Sequence, residues 1–309
     1  METIKISVLL CFSFLSLNFA CAQKTPDKGE GKATSASQDL APAQNHANEI
    51  VARVMGNTLL TLYHELAHAL IDIYGLPMLG REEDAADNFA LVELIAQIRS
   101  PETSASTDAV LAEYGRASAI AWYQAAQEED AIERGAYFGP HALHQQRMFQ
   151  TACLLTGAEP ELFEGLGEQL GIDGYYFLNC EAAFQEAYDG WVYTLDTFGA
   201  FDRSLNANES KDLIFTFKPP EEEAHVRWAT QAEEWIYWQE VQRHFSASFL
   251  FDTPISVTFE TCGEENAYYY PEEQAVVMCY DLMEAYARRL LDPAPAVGLI
   301  DAINNALKD

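Results

Sequence analysis

The sequence contains few basic residues for its size. Its 309 residues include 18 Lys and Arg against 48 Asp and Glu, which gives a formal net charge of −30. A surface this acidic repels the phosphates of nucleic acids and the headgroups of anionic lipids. We therefore expect no nucleic-acid partner, although charge alone indicates no function.

The sequence also lacks an apolar run of the roughly 20 residues that a membrane-spanning helix requires. Its most apolar stretch, residues 6–17, follows Lys5 and leads to Ala20-Cys21-Ala22, which has the small-x-small form of a signal-peptidase site. This pattern predicts a signal peptide over 1–22 and an exported protein, located in the periplasm, at the cell surface or outside the cell. An alternative is cleavage after Ala20, which would make Cys21 a lipid anchor.

Residues 23–45 contain no aromatic residue and are rich in Lys, Gly, Ser, Ala and Pro. Such a segment cannot bury enough apolar surface to offset the entropy lost on ordering, so it is predicted to be a disordered linker. A single domain is then expected over 46–309.

Cysteines are few, and four of them follow the predicted signal peptide: Cys153, Cys180, Cys262 and Cys279. An even number of cysteines in an oxidising compartment indicates two disulfides, and four cysteines allow three pairings. We expect the neighbours in sequence to pair, because each such pair brackets one compact segment. A four-cysteine zinc site is the alternative, but the sequence lacks the CxxC spacing typical of one.

Hydrophobic periodicity predicts a mostly helical α+β fold with a small sheet in the last third of the chain. Helices are expected at 46–74, 81–98, 106–127, 143–155, 181–195, 221–244 and 281–291. Strands are expected at 213–217, 255–259 and 275–278. Gly75 and Pro77 are expected to end the first helix.

The first predicted helix carries an HExxH motif, His64-Glu65-Leu66-Ala67-His68. Residues at i and i+4 project from one face of a helix, so both imidazoles can bind one metal ion. Glu65 would lie beside the ion, where it can accept a proton from a water molecule. Apolar residues surround much of this helix, and burial would exclude solvent from the site. The motif therefore predicts a Zn²⁺ site rather than a chance match.

Catalytic zinc requires a third protein ligand, and the start of the next predicted helix offers several carboxylates. Glu83 and Asp87 are separated by four residues and face the same way. We expect Glu83 to bind the metal and Asp87 to accept a hydrogen bond from a ligand histidine. Glu82 and Asp84 point to either side of this face and remain weaker candidates. Acidic residues are also common in the first turn of a helix, where they stabilise its dipole.

HExxH followed by a turn and an ExxxD helix resembles the gluzincin metallopeptidases, in which that glutamate is the third zinc ligand. The stretch HELAHALIDIYGLPMLGREEDAAD resembles more closely a bacterial family of metallopeptidases whose function is unknown. The segments HALHQQR, with Cys153 after it, and CGEENAYY, with Cys279-Tyr280 after it, are also similar to that family. The resemblance implies a zincin-like active-site helix and glutamate helix. In the family CGxxNAYY precedes HExxH, whereas here it follows, which implies a circularly permuted order.

The HALHQQR segment contributes further candidates for the site. His141, or alternatively His144, could donate a hydrogen bond to the oxyanion of a tetrahedral intermediate. Arg147 could act in the same way or bind a carboxylate structurally. The tyrosines at 268–270 could also supply a hydroxyl group, although aromatic packing is the simpler role. The aromatic cluster Trp228, Trp235, Tyr237 and Trp238 is expected to pack in the core or to dock a helix rather than to bind a sugar.

These patterns predict an exported zinc peptidase that acts on a peptide or protein substrate, with no transmembrane segment. Non-peptidase zinc hydrolysis and a catalytically silent zinc-binding surface protein are the alternatives. Glu65 counts against a silent site, because a structural zinc site has no need of that carboxylate. Calcium binding by an acidic interaction protein is less favoured, since no DxDxDG loop is present.

Overall fold

The computed structural model describes residues 36–100, 103–128, 138–201 and 213–291, with side chains from residue 48 onward. Within these ranges the chain forms nine α-helices and four β-strands. The predicted mostly helical α+β class is therefore confirmed. The predicted signal peptide, with Cys21, and linker residues 23–35 lie outside the described residues.

The first helix, α1, spans Ala36–Tyr74 and carries the HExxH motif in its second half. It begins ahead of the predicted start at 46, so its first turns overlap the segment predicted as a linker. Ala and Gln, which recur there, have high helix propensity even where no apolar periodicity marks a helix. Gly75 follows with φ of 60°, the left-handed conformation expected of a glycine that ends a helix.

The remaining helices follow the predicted order, except that the short helix α5 is not predicted and one predicted helix is divided in two. They are α2 Glu82–Ile98, α3 Ala105–Glu128, α4 His144–Ala158, α5 Leu166–Gln169, α6 Cys180–Thr197, α7 Val226–Glu234, α8 Tyr237–Ser248 and α9 Tyr280–Leu291. The single helix predicted at 221–244 is wrong, because Trp235 adopts an extended backbone between α7 and α8. Its ring packs edge-on against Trp238 at 4.5 Å and against Tyr114 of α3 at 6.0 Å. Packing against another helix can override local helix propensity.

The sheet contains β1 Leu213–Phe217, β2 Ile255–Glu260, β3 Ala267–Tyr270 and β4 Ala275–Cys279, in the order β1-β2-β4-β3. The first, second and fourth strands are parallel, whereas β3 runs antiparallel to β4 at the edge. The edge strand packs on α1, where the Tyr269 hydroxyl donates to Asp72 at 2.9 Å. The sheet therefore lies beside the helix that carries HExxH.

Helix α1 lies at the centre of the core and packs against α2, α3 and α9. Four of its leucines are completely buried: Leu59, Leu62, Leu66 and Leu70. This agrees with the apolar residues around much of its circumference in the sequence. Burial on several sides fixes the orientation of the polar side chains between these leucines.

Two disulfides form in the predicted nearest-neighbour pairing. Cys153–Cys180 joins α4 to the start of α6, and Cys262–Cys279 joins the loop before β3 to the end of β4. The alternative four-cysteine zinc site is therefore wrong for these residues. Among the described helices, none combines the length and apolarity needed to cross a bilayer. The two disulfides are compatible with an exported protein.

The junction of α4 and α6 generates a prediction about packing. A Cβ atom at Gly157 would lie 2.1 Å from the Cys180 carbonyl oxygen, a backbone atom that cannot move aside. We expect Gly157→Ala to lower the free energy of unfolding by about 3 kcal/mol, because overpacking forces the backbones apart. Denaturant unfolding of the oxidised protein measures this effect.

The matched control is Gly190→Ala in α6, where a Cβ atom meets nothing within 4 Å. That change should leave stability unchanged or raise it by about 0.5–1 kcal/mol, because alanine has the higher helix propensity. Similar losses of stability for both variants would contradict the close approach at Gly157.

Candidate metal centre

Two imidazoles and one carboxylate converge where α1 faces the first turn of α2. His64 Nε2 lies 3.2 Å from His68 Nε2 and 3.1 Å from Glu83 Oε2. His68 Nε2 lies 3.4 Å from the same oxygen. The i, i+4 spacing on α1 and the return of the chain along α2 bring these three side chains together, as predicted.

These separations match the ligand shell of a tetrahedral ion. Ligand atoms about 2.1 Å from such an ion lie about 3.4 Å from one another. His64, His68 and Glu83 each offer one ligand atom, and the three atoms lie within 4.8 Å of one another. The three groups could therefore hold one metal ion.

The outer nitrogens of both imidazoles contact carboxylates. His64 Nδ1 lies 2.9 Å from Asp87 Oδ1, and His68 Nδ1 lies 2.7 Å from Glu82 Oε1. When each Nδ1–H donates to its carboxylate, each neutral ring directs the Nε2 lone pair inward. Three acceptor atoms then face one another, and this arrangement requires a cation or a proton between them. The donor set therefore fits a metal ion.

The protonation equilibria of the metal-free site show the same need for positive charge. Burial of His64 disfavours its charged form, but hydrogen bonds to Asp87 and Glu83 outweigh this and raise its pKa to about 9. Burial alone would raise the pKa of Glu83, yet hydrogen bonds from His141, His64 and His68 lower that pKa far below its usual range. Protons therefore compete with a metal for this site.

Asp87 is held from its other side by Arg147 of α4. The Arg147 guanidinium donates to both carboxylate oxygens, from Nε at 2.7 Å and from Nη2 at 2.6 Å. It also lies 3.6 Å from the ring centroid of Trp122 in α3, a cation–π contact. Burial would raise the pKa of Asp87, but the charge of Arg147 and the hydrogen bond from His64 lower it to about 2. Asp87 therefore stays ionised and orients His64.

Glu65 is 7% exposed. Together with His64 it lines a cavity of about 380 Å³. Burial raises the pKa of its carboxyl, and the nearby His64 and His68 oppose that rise. A raised pKa increases the affinity of a carboxylate for protons. Its position next to the cluster and its surroundings both suit a proton acceptor.

The other candidate residues proposed from the sequence have different surroundings in the structure. His141 Nε2 lies 2.9 Å from Glu83 Oε2, and its side chain is half-exposed. His144 stacks on Trp122 and lines the cavity. Glu82 contacts His68, whereas Asp84 is exposed to solvent.

The tyrosines at 268–270 do not line the cavity, and Tyr269 instead contacts Asp72. The structure therefore gives no support for a phenol hydroxyl at the site from these residues. Trp228 and Trp238 are buried, which confirms the predicted packing role for both.

Sequence reasoning missed the contribution of α9 to the cavity. Tyr286 and Arg289 line its wall, and Tyr286 Oη lies 2.9 Å from Thr61 Oγ1 on α1. More than 200 residues separate Tyr286 from Thr61 in the chain. No spacing within either segment signals this contact, although the CGEENAYY segment does mark Glu265 and Asn266 in the same wall.

The geometry defines a helical domain with a buried HExxH-and-glutamate centre beside a small sheet. The family model described as "Putative metallopeptidase" matches residues 30–195 and 217–297. The chain therefore belongs to this metallopeptidase family. No curated protein and no solved structure gives a significant match to the chain. The permuted order expected from the sequence stays a prediction.

The contact between Arg147 and Asp87 yields a prediction about stability. The side chains are 10% and 17% exposed, so Arg147→Met would leave the Asp87 carboxylate buried without its guanidinium partner and with His64 as its remaining contact. We expect the free energy of unfolding to fall by about 3 kcal/mol, the lower range for breaking a buried ion pair. Denaturant unfolding of metal-free protein measures this change.

Arg53→Met is the control, because Arg53 pairs with Glu49 on the surface of α1 at 30% and 54% exposure. Removing an exposed pair should cost less than about 1 kcal/mol. Equal losses at the two positions would contradict a buried structural role for Arg147.

Proposed function

We propose that this protein is an exported zinc-dependent peptidase. His64, His68 and Glu83 bind the zinc ion, and Glu65 is the general base. The observation that carries the proposal is the convergence of three ligand atoms at 3.1–3.4 Å beside the buried Glu65. Two imidazoles, one carboxylate and an open fourth position are typical of catalytic zinc.

When bound, zinc would supply Lewis acidity, which polarises a carbonyl group and acidifies a water molecule. Glu65 would accept a proton from the attacking water, since its carboxylate is buried beside the proposed ligands and burial raises its pKa. The same carboxyl group later delivers the proton to the leaving amine. Asp87 and Glu82 hold the two imidazoles in the tautomer that directs Nε2 toward the metal.

His141 is the proposed donor to the oxyanion that develops on the substrate. Its Nε2 already lies within hydrogen-bond distance of Glu83 Oε2, and its half-exposed ring can reach a group next to that oxygen. A hydrogen bond at this position would stabilise negative charge as the tetrahedral intermediate forms.

A peptide substrate has a suitable docking edge in β3. Among the described strands, β3 pairs only with β4, and it packs on α1 with Ala267 in the cavity wall. An extended chain can add to such an edge through main-chain hydrogen bonds. This arrangement favours a peptide over the alternatives, a non-peptidase hydrolase substrate or a silent zinc site.

The direct test replaces Glu65 with Gln, which is of similar size but cannot accept the proton. Glu65→Gln should retain one zinc per chain and lose at least about 10²-fold in hydrolysis, the lower range for removing a general base. An unbiased peptide-library digest, with and without chelator, measures activity, and elemental analysis measures zinc.

The matched control is Glu49→Gln, an exposed carboxylate on the same helix that should keep full activity. Activity of the purified Glu65→Gln protein near that of wild type would show that the base is assigned wrongly. If the zinc-loaded wild-type protein leaves the peptide library undigested, that result would favour the alternative of a catalytically silent zinc site.

The ligand assignment predicts an order of zinc affinities. Among the carboxylates of α2, Glu83→Ala removes a ligand and should lower the zinc affinity of the protein most. Asp87→Ala should cost about 10–100-fold, the usual effect of losing a group that orients a ligand histidine. Glu82→Ala should cost less, because the Glu82 side chain is 48% exposed. Competition with a chromogenic chelator measures all of these affinities.

Asp84→Ala is the control, since Asp84 is exposed on the same turn of α2. It should bind zinc as wild type does. His64→Ala and His68→Ala should each abolish tight zinc binding, because only two of the three protein ligands would remain. Normal zinc content in either histidine variant would refute the site.

The role of His141 is tested by separating metal affinity from turnover. If His141 stabilises the oxyanion, His141→Ala should retain zinc while kcat falls by about 10²-fold. If its main role is to hold Glu83, zinc affinity should fall together with kcat. That second result would contradict the assignment of His141 as a catalytic residue.

A further inference from the structure

The cavity beside Glu65 contains two arginines, although the whole chain has only 18 basic residues against 48 acidic ones. Arg147 is committed to Asp87 through two of its N–H groups. Arg289 comes from α9 and has no contact with the proposed ligands among the described ion pairs. Its role is therefore separate from holding the metal centre.

Arg289 is mostly buried, with a side chain 16% exposed. Its Nε lies 3.0 Å from both oxygens of Glu128, and its Nη2 lies 3.1 Å from Glu265 Oε2. Those two carboxylates are 48% and 41% exposed, so water can solvate them when a ligand engages Arg289. A guanidinium has five N–H donors, and these bonds require only two of them.

Arg289 and Glu65 both line this cavity. Tyr286 contacts Thr61 at 2.9 Å, and it interacts electrostatically with Glu65, Arg147 and Arg289. Thr61 lies one turn before Glu65 on α1, and Arg289 lies about one turn after Tyr286 on α9. The Thr61–Tyr286 contact thus joins the stretch of α1 that carries Glu65 to the stretch of α9 that carries Arg289, so a substrate bound at Glu65 can extend into the cavity that Arg289 lines.

The acidic groups of the wall are already engaged. Asp87 accepts hydrogen bonds from Arg147 and contacts His64, and Glu265 accepts from Arg288 and Arg289. Glu65 is reserved for proton transfer in the proposed function. Among the described residues of the wall, each carboxylate is therefore balanced by a cation or kept for proton transfer, whereas Arg289 has N–H groups beyond those that its two ion pairs use.

We propose that this cavity is a specificity pocket for a carboxylate next to the scissile bond, and that Arg289 binds it. The carboxylate comes either from an Asp or Glu side chain or from the C-terminus of the substrate. This proposal rests on the proposed peptidase function. It names a substrate class that a metal centre alone does not define.

The test measures binding rather than cleavage, using zinc-loaded Glu65→Gln protein and calorimetry. One probe set is amidated alanine hexapeptides with a single Glu or Gln at each position. The other set is alanine peptides of increasing length with a free or an amidated C-terminus. In one of the two sets, the peptide with the carboxylate should bind at least about tenfold more tightly than the matching peptide with an amide. This is the factor expected for one charge-assisted hydrogen bond. The set that shows the preference identifies the source of the carboxylate.

Arg289→Gln in this background should abolish the preference, and Arg289→Lys should retain part of it. Arg288→Gln is the matched control, because Arg288 also binds Glu265 but is 55% exposed and lies outside the cavity wall. It should keep the preference within about twofold, since rim charges contribute little.

Three results would overturn the pocket assignment. They are equal affinity for acid and neutral probes, no measurable binding of either probe, and a preference for the acid that survives Arg289→Gln. Wild-type cleavage of peptides without any carboxylate preference would overturn the pocket while leaving the peptidase intact. A carboxylate preference in binding without cleavage by the wild type would instead overturn the peptidase.

Discussion

The arrangement of the whole site depends on one electrostatic constraint, the convergence of three hydrogen-bond acceptors. His64 and His68 direct Nε2 toward Glu83 Oε2 because Asp87 and Glu82 hold their Nδ1 atoms. Three lone pairs within 3.4 Å of one another are unfavourable unless a cation lies between them. The fold therefore maintains a geometry that a bound metal ion would stabilise.

Packing around α1 explains how the protein maintains that geometry. Buried leucines fix the rotation of the helix, and Arg147 fixes Asp87, which in turn fixes His64. The Trp122 ring stacks on the Arg147 guanidinium, and both side chains line the cavity. A chain of buried contacts thus runs from α3 through α4 and α2 to the metal site, and loosening any part of it should affect the metal ligands.

The sequence predicted the parts of the site that depend on local spacing. HExxH on α1, Glu83 and Asp87 on α2, and both disulfides follow from periodicity, helix geometry and neighbouring positions in the chain. The break at Trp235 and the cavity wall from Tyr286 and Arg289 could not be predicted. Both depend on tertiary contacts between residues that no motif links, and tertiary packing overrides local propensity.

Anomalous diffraction at the zinc edge, from crystals grown with zinc, tests the metal centre most directly. The proposed function predicts one peak about 2.0–2.2 Å from His64 Nε2, His68 Nε2 and a Glu83 carboxylate oxygen, with a fourth position open beside Glu65. A peak that lacks Glu83 as a ligand would contradict the proposed ligand set. Four protein ligands, or no peak at these residues, would contradict a catalytic zinc site.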